Sequence, residues 1–238
     1  AGSVLLAGVL LKMGGYGFIR FCLPIFPEMS HAFAPAVLWM SVAAVLYGGY
    51  MALAQVDLKR LVAYSSVSHM GFVTLGIFSF NNEGVEGAIL QMVTHGLTTG
   101  AMFLIVGQLY DRTKSRSIAD YGGLQQRMPR FVAILSLFAV ASFGLPTTSN
   151  FIGEFLILVG VSYENFVFVV LAMGGIVLGA AYMLWMLQRV AFGEARTEAA
   201  KKMTDLNTRE MWTIMPLAIA VVAIGVYPGP LLEAMDAS

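Results

Sequence analysis

Four ionisable residues stand inside apolar stretches of this 238-residue chain: Lys12, His69, His95 and Glu154. A charged side chain at the centre of a bilayer costs about 2.5–3.5 kcal/mol or more, so such residues pair with one another or mark the path of an ion or proton. Glu154 is the plainest case. It is the one charged residue between Phe131 and Val161, and it follows directly on the break Gly144 to Asn150, GLPTTSN. Histidine titrates near neutrality, and burial moves lysine and carboxyl groups towards that range, so all four are types able to gain and lose a proton. Separated by polar side chains and water, they would hand a proton along the membrane plane. The candidate spacers are Tyr64, Ser65, Ser66, Ser68, Thr94, Thr98, Thr99, Thr147, Thr148 and Asn150.

Each residue also has a plainer reading. Lys12 could snorkel to an interface, and each histidine could make a single packing bond to a neighbouring helix. Glu154 could form an ion pair with Lys12 that is neutral overall and only fixes helices. Asp57 and Lys59, with Arg60 in QVDLKR, either set topology as loop charges or form the cytoplasmic mouth of a proton path. His31, among Pro24, Pro27 and Pro35, reads as ordinary surface.

The elements that carry these residues are helices in lipid. The chain is 58% apolar, 12% charged and has a mean hydropathy of +0.77, far from a soluble domain. Its apolar residues fall in continuous runs of spanning length, which indicates helices rather than the alternating strands of a barrel. The fold class is therefore all-α and polytopic, a single transmembrane domain over residues 1–238. Seven spans are expected: Val4 to Leu23, Ala34 to Ala54, Leu61 to Phe80, Gly87 to Tyr110, Phe131 to Val161, Phe166 to Leu187 and Met211 to Tyr227. The fifth would be about 46 Å long if straight, against a hydrocarbon core of ~30 Å, so it must tilt, extend or break. Pro146 and Gly144 supply a break. Gly14, Gly15 and Gly17 after Lys12 are expected to loosen the first span and admit water.

Twelve of the fourteen lysines and arginines fall on one side of these spans. The positive-inside rule makes that side cytoplasmic and turns the C-terminus outward. A bacterial inner membrane fits this pattern, with an organelle membrane left open. The polar link Ala191 to Arg209 is expected to be a solvated cytoplasmic connector, with a surface helix as the alternative, and GGLQQRMPR a plain loop. AGSVLLAG has neither an initiator Met nor a signal-peptide pattern, so the stretch from Val4 reads as the middle of a longer gene product. One cysteine, Cys22, leaves no multi-cysteine metal or iron–sulfur set, and no GxGxxG follows a strand. No cofactor or metal site is expected in this chain, and its surroundings are lipid and protein, not nucleic acid.

At QVDLKRLVAYSSVSHMGF (Gln55 to Phe72) the chain resembles the antiporter-like membrane subunits of respiratory complex I, the proton-pumping NADH:quinone oxidoreductase, and the related Mrp sodium/proton antiporters. The likeness continues in AGVLLKMGGYGFIRF, ILQMVTHGLTTGAMFLIVGQLYDR, GLPTTSNFIGEF and YPGP. Most members of that family carry lysine where this chain has Glu154, whereas M-type chains carry glutamate, so it is most similar to that branch. The resemblance implies fourteen helices in two inverted five-helix repeats, of which this chain would supply helices eight to fourteen. It implies that Lys12 connects two half-channels, that His69 and His95 form a central relay, and that Glu154 is the terminal group. It further implies that NADH, FMN, iron–sulfur clusters and quinone sit on other subunits, that other membrane-arm chains are the partners, and that this stretch alone does not complete a pumping cycle. An Mrp-type exchanger and the homologous subunit of a membrane-bound hydrogenase are the alternatives.

Overall fold

The computed structural model describes residues 2–236, and these form helices and loops with no strand beyond one isolated bridge. The long helices are α1 (Gly2–Ile25), α2 (Pro27–Leu53), α3 (Leu58–Ile77), α4 (Asn82–Thr113), α5 (Pro129–Ser142), α6 (Ser149–Glu164), α7 (Phe166–Ala191), α8 (Thr208–Val226) and α9 (Gly229–Asp236). Each of the seven expected spans is a helix or, for the fifth, the pair α5 and α6. Five of them, α1, α2, α4, α7 and α8, are long and apolar enough to cross a membrane alone. α3 has the length, but Lys59, Arg60 and its serines dilute its apolar character.

Side-chain caps fix where the helices begin. Asp57 accepts the Arg60 amide at the start of α3, Asn81 the Gly84 amide at α4 and Asn165 the Val167 amide at α7. At α8, Asn207 and Glu210 form a reciprocal capping box. The overlong fifth run breaks where Gly144 (φ +73°) and Thr147 (φ +79°) enter the left-handed region around Pro146. Glycine adopts that conformation freely, but Thr147 does so under strain. The break is closed by Thr148, whose amide and hydroxyl both donate to the Leu145 carbonyl. α8 packs against it so closely that a Cβ on Gly225 would lie 2.3 Å from the Thr147 oxygen.

α4 is the centre of the bundle, flanked by α3 and α6, while α1 lies at the periphery. In lipid there is little hydrophobic drive between helices, and small residues let backbones approach closely enough for dispersion to hold them. Two of these close approaches are the α2–α3 and α4–α6 seams. Between α2 and α3, Cβ atoms added at Gly48 and Gly71 would fall 2.7 Å from the Ser68 nitrogen and 2.8 Å from the Ser41 oxygen. Between α4 and α6, one at Gly160 would fall 2.5 Å from the Gly84 nitrogen, where Asn81 also donates to the Gly160 carbonyl at 2.8 Å. Gly160→Ala must therefore push α6 off α4. We expect a loss of about 1–3 kcal/mol, seen as a lower melting temperature of the purified assembly; an unchanged temperature would contradict the seam.

The three basic loops meet at one end of the bundle. Leu58 donates to the Arg116 carbonyl and Ile118 to that of Val56, both at 2.9 Å, and Gly123 donates to the Phe192 carbonyl at 3.0 Å. Buried Tyr121 donates to the Ser115 carbonyl at 2.7 Å, and removal from water pushes its phenol above the usual range. The polar link keeps most of its charged residues exposed, as expected of a solvated connector, but it is also anchored to the bundle. It folds down onto this end through a single helical turn (Glu198–Lys201), buries Ala200, Met203 and Leu206, and donates from the Thr197 hydroxyl to the Asp120 carbonyl. Asp205 of the link accepts from the Arg130 and Phe131 amides and so caps α5, which has no cap of its own. GGLQQRMPR is likewise packed: Leu124 and Met128 are fully buried.

Candidate functional site

α1, α3, α4 and α6 bring the four ionisable residues into one row. Lys12 Nζ lies 2.8 Å from His95 Nδ1 and also donates to the Ala7 carbonyl. The His95 and His69 rings are neighbours, with centroids 5.2 Å apart and planes inclined at 54°. His69 Nδ1 lies 2.9 Å from Glu154 Oε1. The order is thus Lys12, His95, His69, Glu154, and no ion pair joins the two ends among the described residues. His95 is fully buried, His69 and Glu154 nearly so, and Lys12 half-buried.

Local structure explains the placement. The i→i+5 turns Leu6–Leu10 and Phe18–Cys22 flank the regular segment Leu11–Gly17 that bears Lys12, and such turns rotate a side chain off the regular helical face. One of them leaves the Ala7 carbonyl free for the ammonium. α1 comes close to α4 because Gly96 lets it: a Cβ there would meet the Gly8 oxygen at 2.8 Å. Of the three glycines after Lys12, Gly14 and Gly17 face open space, and an i→i+5 turn begins directly after Gly17, while Gly15 is a packing residue. It packs against Met92, whose sulfur would lie 2.5 Å from an added Cβ. Beside Lys12, between α1, α4 and Leu217 of α8, runs an open apolar groove of about 580 Å³.

Hydrogen-bond roles follow from charge. A lysine ammonium is donor only, so while Lys12 is charged His95 Nδ1 accepts and its proton resides on Nε2, 3.0 Å from Thr99 Oγ1. An ionised Glu154 accepts only, so His69 Nδ1 donates to it. His69 Nε2 is then left buried without a protein partner. A buried polar group without a partner is costly, and this nitrogen is the one unsatisfied atom on the His69 ring.

The expected spacers divide. Thr99 touches the row directly. Thr94 and Thr98 bond back to the α4 backbone, and Thr98 also reaches Asn150 Oδ1 at 3.4 Å. Ser65 and Ser66 donate to the Val62 carbonyl within α3, and Ser68 donates to that of Val45 across the α2–α3 seam, so all three hydroxyls are engaged with backbone carbonyls. Ser65 also lies against the buried Tyr182 hydroxyl on the side of Glu154. Tyr64 packs half-buried against the core, and Thr147 and Thr148 shape the break. Asp57 serves as the cap of α3, while Lys59 lines a cavity of about 270 Å³ with Ser3, Tyr110, Asp111 and Arg116. His31 is exposed and stacks on Phe80 with centroids 3.9 Å apart.

One residue at the site is absent from that sequence reading. Gln91 is fully buried and its Nε2 donates to Glu154 Oε1 at 3.0 Å. It carries no charge, but its position one turn before His95 on α4 places both on one face.

Comparison with known proteins follows this geometry. A family model described as the transmembrane region of NADH:quinone oxidoreductase and Mrp antiporters matches residues 1–180. The chain belongs to this family. As a member of the NADH:quinone oxidoreductase/Mrp antiporter family it is an integral membrane protein. It is 50% identical to the NADH-ubiquinone oxidoreductase chain 4 of Marchantia polymorpha, over all of this chain and 48% of the relative. It is 51% identical to the NADH-quinone oxidoreductase subunit M of Rhodobacter capsulatus, over 96% of this chain and 44% of the relative. The chain therefore spans about half the length of the curated relatives it matches. Its structure is similar to a chain of respiratory complex I from Thermus thermophilus, with TM-score 0.88 and 34% identity over 99% of this chain and 51% of that one. A chain of the Mrp complex from Dietzia superposes with TM-score 0.88 at 18% identity over 98% of this chain and 51% of that one, a likeness of fold alone.

Proposed function

We propose that this family member is part of a proton-translocating membrane subunit of an NADH:quinone oxidoreductase, of the chain 4 or M type. The row from Lys12 through His95 and His69 to Glu154, held by contacts of 2.8 and 2.9 Å with 5.2 Å between the rings, carries this reading. A proton leaving Lys12 passes to His95 Nδ1, and His95 releases one from Nε2. Crossing to His69 Nε2 takes a ring rotation or a bridging water, and His69 then delivers a proton through Nδ1 to Glu154. The opposite charges at the two ends let a field from elsewhere in the complex drive the row in either direction, because Lys12 loses a proton as Glu154 gains one. This chain supplies proton movement, while NADH, FMN, iron–sulfur clusters and quinone belong to other subunits. Its partners are other membrane-arm subunits, including neighbouring antiporter-like chains. The basic end of the bundle faces the cytoplasm of a bacterial inner membrane, or the matching side of an organelle, and the C-terminus faces outward.

The identities of 50% and 51% to relatives named for NADH oxidoreductases support this reading over an Mrp-type exchanger. A direct test is His95→Phe in the full-length subunit in native membranes. NADH-driven vesicle acidification is expected to fall roughly tenfold or more, the weight of a positioned proton-transfer group, in a complex that still assembles. Undiminished acidification would sink the proposal. Sodium-driven proton exchange without NADH would instead mark an Mrp-type exchanger.

A further inference from the structure

Glu154 Oε1 has two partners, His69 Nδ1 at 2.9 Å and Gln91 Nε2 at 3.0 Å. The relay uses the first and leaves the second unexplained. Gln91 is wholly removed from solvent, and its side chain fits only because Gly153 faces it: a Cβ on Gly153 would lie 2.7 Å from Gln91 Oε1. The other carboxylate oxygen, Oε2, points to the helix break, where a Cβ on Gly144 would come within 2.8 Å of it. Glycines thus clear space on both sides of this carboxylate, for the amide on one and for the free oxygen on the other.

We propose that Gln91 is a positioning residue for proton transfer at Glu154, an amide that remains a hydrogen-bond partner in both charge states, with Oε2 as the oxygen that exchanges protons towards the break. The inference rests on the relay reading above. A buried carboxyl that changes charge loses and gains a donor requirement each time: the carboxylate only accepts, while the acid also donates. A partner able only to donate or only to accept would be stranded in one of the two states, at a cost comparable to a lost hydrogen bond. An amide carries both functions on one group. While Glu154 is ionised, the Gln91 NH2 donates to Oε1, as seen. Once Glu154 is protonated, a half-turn of the amide presents Oε1 of Gln91 as acceptor, and the missing Cβ of Gly153 leaves room for that turn. The proton that His69 Nδ1 gives to Oε1 passes towards the break once the carboxyl group turns about its Cγ–Cδ bond and exchanges its two oxygens, and the Gln91 amide then bonds whichever oxygen faces it.

The test uses the assembled complex in vesicles, with Gln91→Met, which keeps length and volume but removes donor and acceptor. NADH-driven acidification, together with the NADH oxidation coupled to it, is expected to fall roughly tenfold, the weight of one hydrogen bond to a charged group. The infrared carboxyl band that Glu154→Gln removes is expected to shift in frequency, which a purely structural role would not cause. Should Gln91→Met fail to assemble, Gln91→Glu keeps the shape and is expected to add a second carboxyl band and to lower acidification. Assembled variants with the parent's acidification and an unmoved band would overturn the proposal. If Glu154→Gln itself leaves acidification intact, the relay reading fails instead, so the two failures are told apart.

Discussion

Lys12→Met is expected to abolish most proton movement while leaving the bundle intact. Lys12 is half-buried and its polar contacts are His95 Nδ1 and the Ala7 carbonyl, so the fold does not depend on it. Methionine fills the same groove beside Gly8, Gly96 and Leu217 without a proton to give. His95 then has no proton source on Nδ1, and the row ends one step short. NADH-driven acidification and the NADH oxidation coupled to it should drop together, roughly tenfold or more, with unchanged assembly in native gels. Lys12→Arg supplies the control, since guanidinium keeps the charge but does not release its proton. If Lys12→Arg behaves as the parent, the charge matters and proton transfer through position 12 does not.

The second large effect concerns stability and lies at the basic end. Arg112 at the end of α4 holds Glu210 of α8 in a two-pronged pair at 2.8 and 2.7 Å, and its Nε donates to the Thr204 carbonyl at 3.2 Å. Both side chains are only 16% exposed. Removing one partner of this partly exposed pair forfeits two charge-assisted hydrogen bonds, at a cost of about 1.5–3 kcal/mol. Glu210 also belongs to the capping box of α8, and the link running past Arg112 places Asp205 over the start of α5. Arg112→Met should therefore loosen α5 and α8 together and greatly reduce the amount of assembled complex, as read by its yield from membranes. The double variant Arg112→Met with Glu210→Leu should recover part of the loss, because it leaves no charge stranded. A double variant no better than the single one would show that the lost backbone bonds, not the stranded carboxylate, dominate.

The sequence exposes the parts of this architecture that are anomalous in lipid. Lys12, His69, His95 and Glu154 stand out because charge is costly at membrane depth. The break stands out because an apolar run of 31 residues with Gly144 and Pro146 inside is too long for one straight span. Gln91 stays hidden because an uncharged amide on a polar-tolerant helix raises no such alarm, and its partner is 63 residues away in sequence. The order of the row is hidden for the same reason: composition permits Lys12 to meet Glu154, and only the packing of α1 on α4 puts His95 between them. The fate of the polar link is also hard to read. Its anchors are single apolar residues, Ala200, Met203 and Leu206, set among charges, and at a spacing of three over so short a stretch they are too few to mark an amphipathic helix. The serines of α3 mislead in the opposite direction, since they look like path lining but spend their hydroxyls on backbone carbonyls.

The most direct test of the relay is Glu154→Gln in the full-length subunit within its native membranes, with NADH oxidation and NADH-driven acidification followed side by side. Glutamine keeps the hydrogen-bonding shape beside His69 and Gln91 but cannot take up a proton. The account predicts a complex that assembles normally and in which acidification and coupled NADH oxidation fall together. Normal assembly with both activities untouched would contradict it and reduce Glu154 to a structural carboxylate.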